Sequence, residues 1–214
     1  YLQMSGEPLN DESAAAMAAT YAKDVIDNGP YDLEPNYADI FELENEHGVE
    51  YIFSAEYMAT NNEGGQVATW DGPPGNYINT ISYSICRAMP ELYNSYDPAD
   101  VRRDRNVVDY VVLDEFGNTE PTNDGFYYAY KWRHDTNPAT RGYATEWQSP
   151  FNFPLTRFAD VLLMYAEAQT RADGSPNAEA YNAINRVRTR AGLGNLSGLS
   201  GNEFFRLIFQ RDCK

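Results

Sequence analysis

Two histidines and two cysteines are all the chain holds of the residues that most often bind metals or act as nucleophiles. Cys86 and Cys213 stand far apart and outside any C-x-x-C spacing, which excludes a zinc ribbon and a disulfide framework. His47 and His134 are equally isolated, so a histidine-based metal centre or triad lacks its parts, and no cofactor is expected. Basic residues are scarce as well: 16 Lys and Arg face 32 Asp and Glu, for a net charge of -16. Thirteen of those acids lie in the first 60 residues, where Lys23 is the only base. Such a surface repels polyphosphate, which argues against nucleic acid as a partner. The acids read as a solvated face, and none falls in a D-x-D-x-D-G calcium loop. No apolar run approaches the roughly 18 residues of a membrane span, and the opening YLQMSGEP has no signal-peptide pattern and reads as the middle of something longer.

Aromatic residues are abundant instead. Among 214 residues there are 17 Tyr, 10 Phe and 3 Trp, beside an ordinary 43% hydrophobic fraction, enough for a core without metal or disulfide support. An aromatic ring with a polar handle serves a core and a polar-ligand surface alike, so this excess raises the expectation of a binding surface.

Along the chain, Asn10, Asp11 and Glu12 form a helix start. Ala15, Ala18, Ala19, Ala22, Val25 and Ile26 then recur at helical spacing until Asn28-Gly29-Pro30, predicting a helix over 11–28 whose small residues suit close packing on another helix. YDLEPNYADIF reads as a loop with a helical turn, and GVEYIFSAEYM as a strand with Tyr51, Phe53, Ala55 and Tyr57 on one side. Residues 59–150 are loop-rich. Within them NVVDYVVLD and FYYAYKWR are strand candidates that could pair as a hairpin, and the alternating charges from Asp100 to Arg105 suggest a local ion network. From 155 to 214 the pattern is helical. Phe158 to Gln169 marks one helix, ended by Asp173-Gly174. Ser175-Pro176 starts a second, which Gly192 stops, and a Ser200/Glu203 capping box with a Leu199–Phe204 staple starts a third. Phe205, Leu207, Ile208 and Phe209 on that last helix have little in the sequence to pack on. Asp160 and Glu167, seven residues apart, share a helix face, yet no nucleophile or base gathers around them. The expected partners are Arg157 for Asp160, and Arg186, Arg188 or Arg190 of the next helix for Glu167.

FPLTRFADVLLMYAEAQ followed by AEAYNAINRVRTRAGL resembles the signature of the SusD/RagB family, the surface glycan-binding lipoproteins of Bacteroidetes. AKDVIDNGPYDLEPNYADIF, EYIFSAEY and YDPADVRR are similar to the family's preceding section, and IFQRDCK departs from its usual next motif at Gln210 and Asp212. The resemblance implies a mainly α fold with irregular loops and a few short strands, built on tetratricopeptide-like helix pairs. The chain would be a partial SusD-like domain over 1–214, matching a central-to-C-terminal portion of a longer protein. The resemblance further implies a non-catalytic binder of oligosaccharides, held in the outer membrane by an N-terminal lipid absent from this chain, that serves a TonB-dependent transporter.

The family's ligand residues follow no fixed motif, so chemistry has to nominate them. Sugars offer an apolar C–H face and a rim of hydroxyls, which aromatic platforms flanked by amides and carboxylates match. Residues 59–80 supply Trp70 and Tyr77 as platforms beside Asn61, Asn62, Asp71, Asn76 and Asn79. Trp147, near Tyr143 and Glu146, is a second candidate, while Trp132, alternating with Tyr128 and Tyr130, reads as core. A helical-repeat scaffold for protein partners is the alternative. A glycoside hydrolase would need two carboxylates about 5–10 Å apart across a cleft, and no motif singles out such a pair.

Overall fold

The computed structural model describes residues 1–58, 63–77, 80–114, 116–134 and 148–212. Among them seven α-helices occur: Glu12–Asn28 (α1), Val67–Asp71 (α2), Pro90–Asn94 (α3), Arg103–Asn106 (α4), Phe158–Asp173 (α5), Ala178–Arg190 (α6) and Gly201–Asp212 (α7). The strands are Tyr51–Ala55 (β1), Gly75–Tyr77 (β2), Thr80–Ser82 (β3), Arg87–Ala88 (β4), Val107–Val108 (β5), Tyr110–Val112 (β6), Thr119–Pro121 (β7), Tyr127–Ala129 (β8) and Phe153–Arg157 (β9). The fold is mainly helical with short strands, and the chain divides into two compact units. One comprises Tyr1–Pro35, Val49–Phe53 and Thr156–Lys214, the other Asn36–Gly48 and Ser54–Leu155.

The first unit is a helix assembly centred on α5. Phe158, Ala159, Leu162, Leu163, Ala166 and Ala168 are buried along α5. Against them pack Ala19 of α1, with Ala18, Ala22 and Ile26 half-buried, and Ala180, Ala183, Ile184 and Val187 of α6. Alanine at these contacts lets helix backbones approach closely, so the small-residue stripe becomes a packing surface. Phe204 and Ile208 of α7 are fully buried in the same core, so two apolar residues of the last helix do find a place to pack. The Ser200–Glu203 capping box forms, with the Glu203 carboxylate 2.9 Å from Ser200 N–H. Helix α6, however, starts at Asn177, whose side chain accepts from the Ala180 amide at 3.0 Å, rather than at Ser175.

One carboxylate ties this unit together. Glu50 is fully buried; its Oε1 takes Nη1 of Arg157 at 2.8 Å, and its Oε2 takes Nη1 of Arg190 at 2.7 Å and the Glu34 amide at 2.8 Å. The start of α5, the end of α6 and the segment after α1 thus share one anion. Glu167 does not fill the cross-helix role expected of it: it pairs with Arg171 one turn along α5 at 2.8 Å, while Arg186 holds Asp32 and Arg188 reaches the Gly194 carbonyl. Asp160 does face Arg157, with its carboxylate accepting the Arg157 backbone N–H at 2.8 Å as a helix cap.

The second unit holds a sheet of order β3-β2-β6-β7 and another of order β4-β8-β5. The expected hairpin is half realised. Val107 and Val108 pair antiparallel with Ala129 and Tyr128, but β6 turns away to pair with β7 and, in parallel, with β2. FYYAYKWR is a strand only over Tyr127–Ala129, and the half-buried Trp132 beyond it packs edge-on to Phe41 and stacks on Phe153. The charge run from Asp100 closes Arg102 onto Asp100 and Arg103 onto Asp104, whereas Arg105 leaves it for Glu42. Where β2 meets β6, Gly75 has φ of +148°, and a Cβ there would lie 2.1 Å from the Val112 carbonyl oxygen. Gly75→Ala is therefore expected to destabilise this unit by about 2 kcal/mol or more. Trp70 and Trp132 lie in it, so a lowered denaturation midpoint by tryptophan fluorescence reports the effect. An unchanged midpoint would mean that β2 and β6 can separate at no cost.

Candidate functional site

Helix α2 is five residues long and carries Trp70 near its end. A helix this short leaves most of its carbonyls without intrahelical partners. The chain after β3 supplies donors: the Tyr83 amide bonds the Thr69 carbonyl at 2.8 Å and the Ile85 amide bonds the Trp70 carbonyl at 2.7 Å. Along this stretch Ser82 and Ser84 are buried and Ile81, Tyr83 and Ile85 are exposed, with Ser84 turning the chain at a φ of 51°. This places the Tyr83 ring on Trp70, with centroids 5.4 Å apart and planes at 26°. The rings keep 43% and 37% of their residue surface in solvent. The indole N–H donates to Gln66 Oε1 at 3.2 Å, which fixes the orientation of the tryptophan.

Polar groups rim this pair. Asp71 follows Trp70 and hydrogen-bonds the exposed Cys86 thiol, which that carboxylate holds above its ordinary pKa. Asn76 is exposed and sits opposite Ile81 in the β2–β3 ladder, so both side chains leave the same face. Trp70, Asp71 and Asn76 are thus surface residues of one small region, and Tyr83 joins them without having been nominated from the sequence. Its signal was Ile-Ser-Tyr-Ser-Ile, bulky residues alternating with serine, in which the serines take the inner face.

Tyr77 does not act as a platform in this structure. It is buried, its hydroxyl donates to the Pro73 carbonyl at 3.1 Å, and desolvation pushes its pKa up. Asn61, Asn62, Asn79, Tyr143, Glu146 and Trp147 lie outside the described residues.

Beneath α2, His134 is fully buried, with Nε2 3.2 Å from the Thr69 hydroxyl and 3.5 Å from that of Thr80, and its ring beside Tyr77. Burial lowers its pKa from 6.5 to about 4. The unfolded chain therefore binds a proton below pH 6.5 that the folded chain refuses. Stability from this residue is complete above pH 6.5 and is lost as pH falls toward 4, by roughly 3 kcal/mol at most. Urea midpoints at pH 7 and pH 4.5 should fall further for the wild type than for His134→Gln; equal falls would contradict a neutral buried imidazole.

The concave surfaces of the helical unit offer less to a sugar. The groove of about 370 Å³ beside α5 is lined by Lys23, Asp27, Tyr165, Glu179, Asn182 and Arg186. Its polar groups are already paired, Lys23 with Asp27 at 2.6 Å, the Tyr165 hydroxyl with Glu179 at 2.7 Å and Arg186 with Asp32 at 2.7 Å, and its one aromatic ring is buried. Among the described residues no group of three His, Cys, Asp or Glu could hold a metal ion, and no helix is long and apolar enough to cross a membrane.

The architecture is a helix assembly joined by sequence to a loop-rich, short-stranded unit with an exposed aromatic pair. Known proteins share the fold. The SusD family matches residues 110–206. A SusD-like protein of Bacteroides ovatus is 26% identical over 96% of this chain and 40% of its own length. A SusD homolog of Bacteroides thetaiotaomicron superposes with a TM-score of 0.85 at 23% identity, over 99% of this chain and 47% of that one. Surface glycan-binding protein A of the same organism, solved in complex with laminarihexaose, gives a TM-score of 0.72 at 24% identity, over 94% of this chain and 48% of its own. The chain is similar to the SusD family over residues 110–206 and shares the fold of these relatives, and it spans less than half of their length.

Proposed function

We propose that this chain carries the glycan-binding part of a non-catalytic cell-surface protein, which captures oligosaccharides and passes them to a TonB-dependent outer-membrane transporter. The observation that carries the reading is the offset-stacked Trp70–Tyr83 pair on the surface, rimmed by Gln66, Asp71 and Asn76. An exposed aromatic face takes the C–H face of a pyranose, and the planar amide and carboxylate groups at its edge accept and donate to equatorial hydroxyls. Similarity to the SusD family, and to a surface glycan-binding protein solved in complex with laminarihexaose, supports a saccharide as ligand. The same similarity supports lipid anchoring at the outer membrane and a transporter partner.

A glycan array that includes laminarin and xyloglucan oligosaccharides tests the proposal, run beside an assay for newly formed reducing ends. Retention of at least one oligosaccharide class with no release of product is expected. Product release would replace the binder with a hydrolase, and capture of a transporter without any glycan retention would favour the protein-interaction scaffold.

A further inference from the structure

In the loop-rich unit two buried arginines share a single carboxylate. Arg105 and Arg133 are 7% and 8% exposed. Nη2 of each reaches Glu42 Oε1, at 2.8 and 2.7 Å, and Nη2 of Arg133 also donates to Oε2 at 2.9 Å. Arg105 further donates to the carbonyls of Ala38 and Phe41. Both guanidinium groups lie over the Tyr130 ring, at 5.1 and 4.5 Å from its centroid. Two cations against one anion leave an excess positive charge on two buried guanidinium groups, although Glu42 itself is a quarter exposed.

Among the described residues the neighbouring groups do not cancel it. The Tyr110 hydroxyl bonds that of Tyr130 and is held protonated by desolvation, and Lys131 adds a further cation over Phe41 and Tyr37. Nε of Arg105 and both Nε and Nη1 of Arg133 are shielded from solvent and have no hydrogen-bond partner among the described residues. Buried charges are normally paired and buried donors satisfied, so unmet N–H groups on an excess cation have the form of an anion site.

We propose that the Arg105–Arg133 pair binds a small monovalent anion of the halide class at these unmet N–H groups. Entry requires the ion to shed its water, since both guanidiniums are over nine-tenths buried. That cost is lowest for a weakly hydrated halide, and far higher for sulfate, phosphate or a sugar-borne carboxylate. The net charge of -16 does not oppose it, because surface charges are screened beyond about 8–10 Å while the two guanidiniums act directly. A bound halide would fasten the segment that carries Glu42 to the end of the segment following β8.

The test compares the thermal midpoint of the whole chain in sodium chloride and sodium gluconate at matched ionic strength. Chloride should raise it saturably, by roughly 2–4 °C. Arg133→Gln should remove the difference between the two salts. Crystals soaked in sodium bromide should show an anomalous peak within about 3.5 Å of Arg133 Nε or Nη1 or of Arg105 Nε, an N–H to halide contact, and this readout stands if the variant fails to fold. Equal midpoints in the two salts, a chloride effect that survives in a folded Arg133→Gln, or bromide bound only elsewhere would each overturn the proposal.

Discussion

Trp70→Ala is expected to weaken oligosaccharide binding about thirtyfold or more, the loss of about 2 kcal/mol or greater that follows truncation of a central aromatic anchor. Two effects combine in that figure. The indole is the larger ring of the proposed site, and its removal also strips the Tyr83 ring of the partner it stacks on. Tyr83→Ala should therefore lower affinity as well, while Tyr83→Phe, which keeps the stacked ring, should be close to wild type. Tyr77→Phe is a useful contrast, since a buried hydroxyl bonded to the Pro73 carbonyl has no route to ligand. Isothermal titration calorimetry on variants with native near-ultraviolet dichroism measures all four. Binding by Trp70→Ala within twofold of wild type would remove the aromatic pair from the site.

The second large effect is on stability. Glu50→Gln should cost the helical unit about 3–5 kcal/mol, because Arg157 and Arg190 are left buried without their shared anion. Glu167→Gln should cost far less, since Arg171 stays more than a quarter exposed and can return to water. Denaturant unfolding followed at 222 nm reads the helices that dominate this unit. Comparable losses for the two variants would return the cross-helix role to Glu167, and a loss below about 1 kcal/mol for Glu50→Gln would show the triad to be dispensable.

That contrast shows where the sequence was informative and where it was silent. The periodic alanines of α1, the Gly174 stop, and the Ser200–Glu203 box are local signals, and each produced the local structure it implies. The partner of a charged residue is a tertiary property. Arg190 at the end of α6 could meet Glu167 or Glu50 with equal plausibility from spacing alone, and the path of the chain between α1 and β1 decided for Glu50. The site behaves similarly. Trp70 could be nominated because a tryptophan among glycine, proline and asparagine is conspicuous, and Tyr77 was nominated for the same reason. Tyr77 sits on the inner face of a three-residue strand, whereas Tyr83 is exposed just beyond β3, next to Ser84 at a φ of 51°. The difference is set by the β2–β3 pairing for Tyr77 and by the bond of the Tyr83 amide to the Thr69 carbonyl, tertiary contacts that spacing alone does not give.

The most direct measurement is a crystal structure of the chain grown with whichever array oligosaccharide is best retained. The account predicts a pyranose ring lying over the exposed face of the Trp70–Tyr83 pair, with hydroxyls within hydrogen-bond reach of Gln66, Asp71 or Asn76. A saccharide bound only in the grooves of the helical unit, or well-ordered ligand that leaves Trp70 untouched, would contradict it.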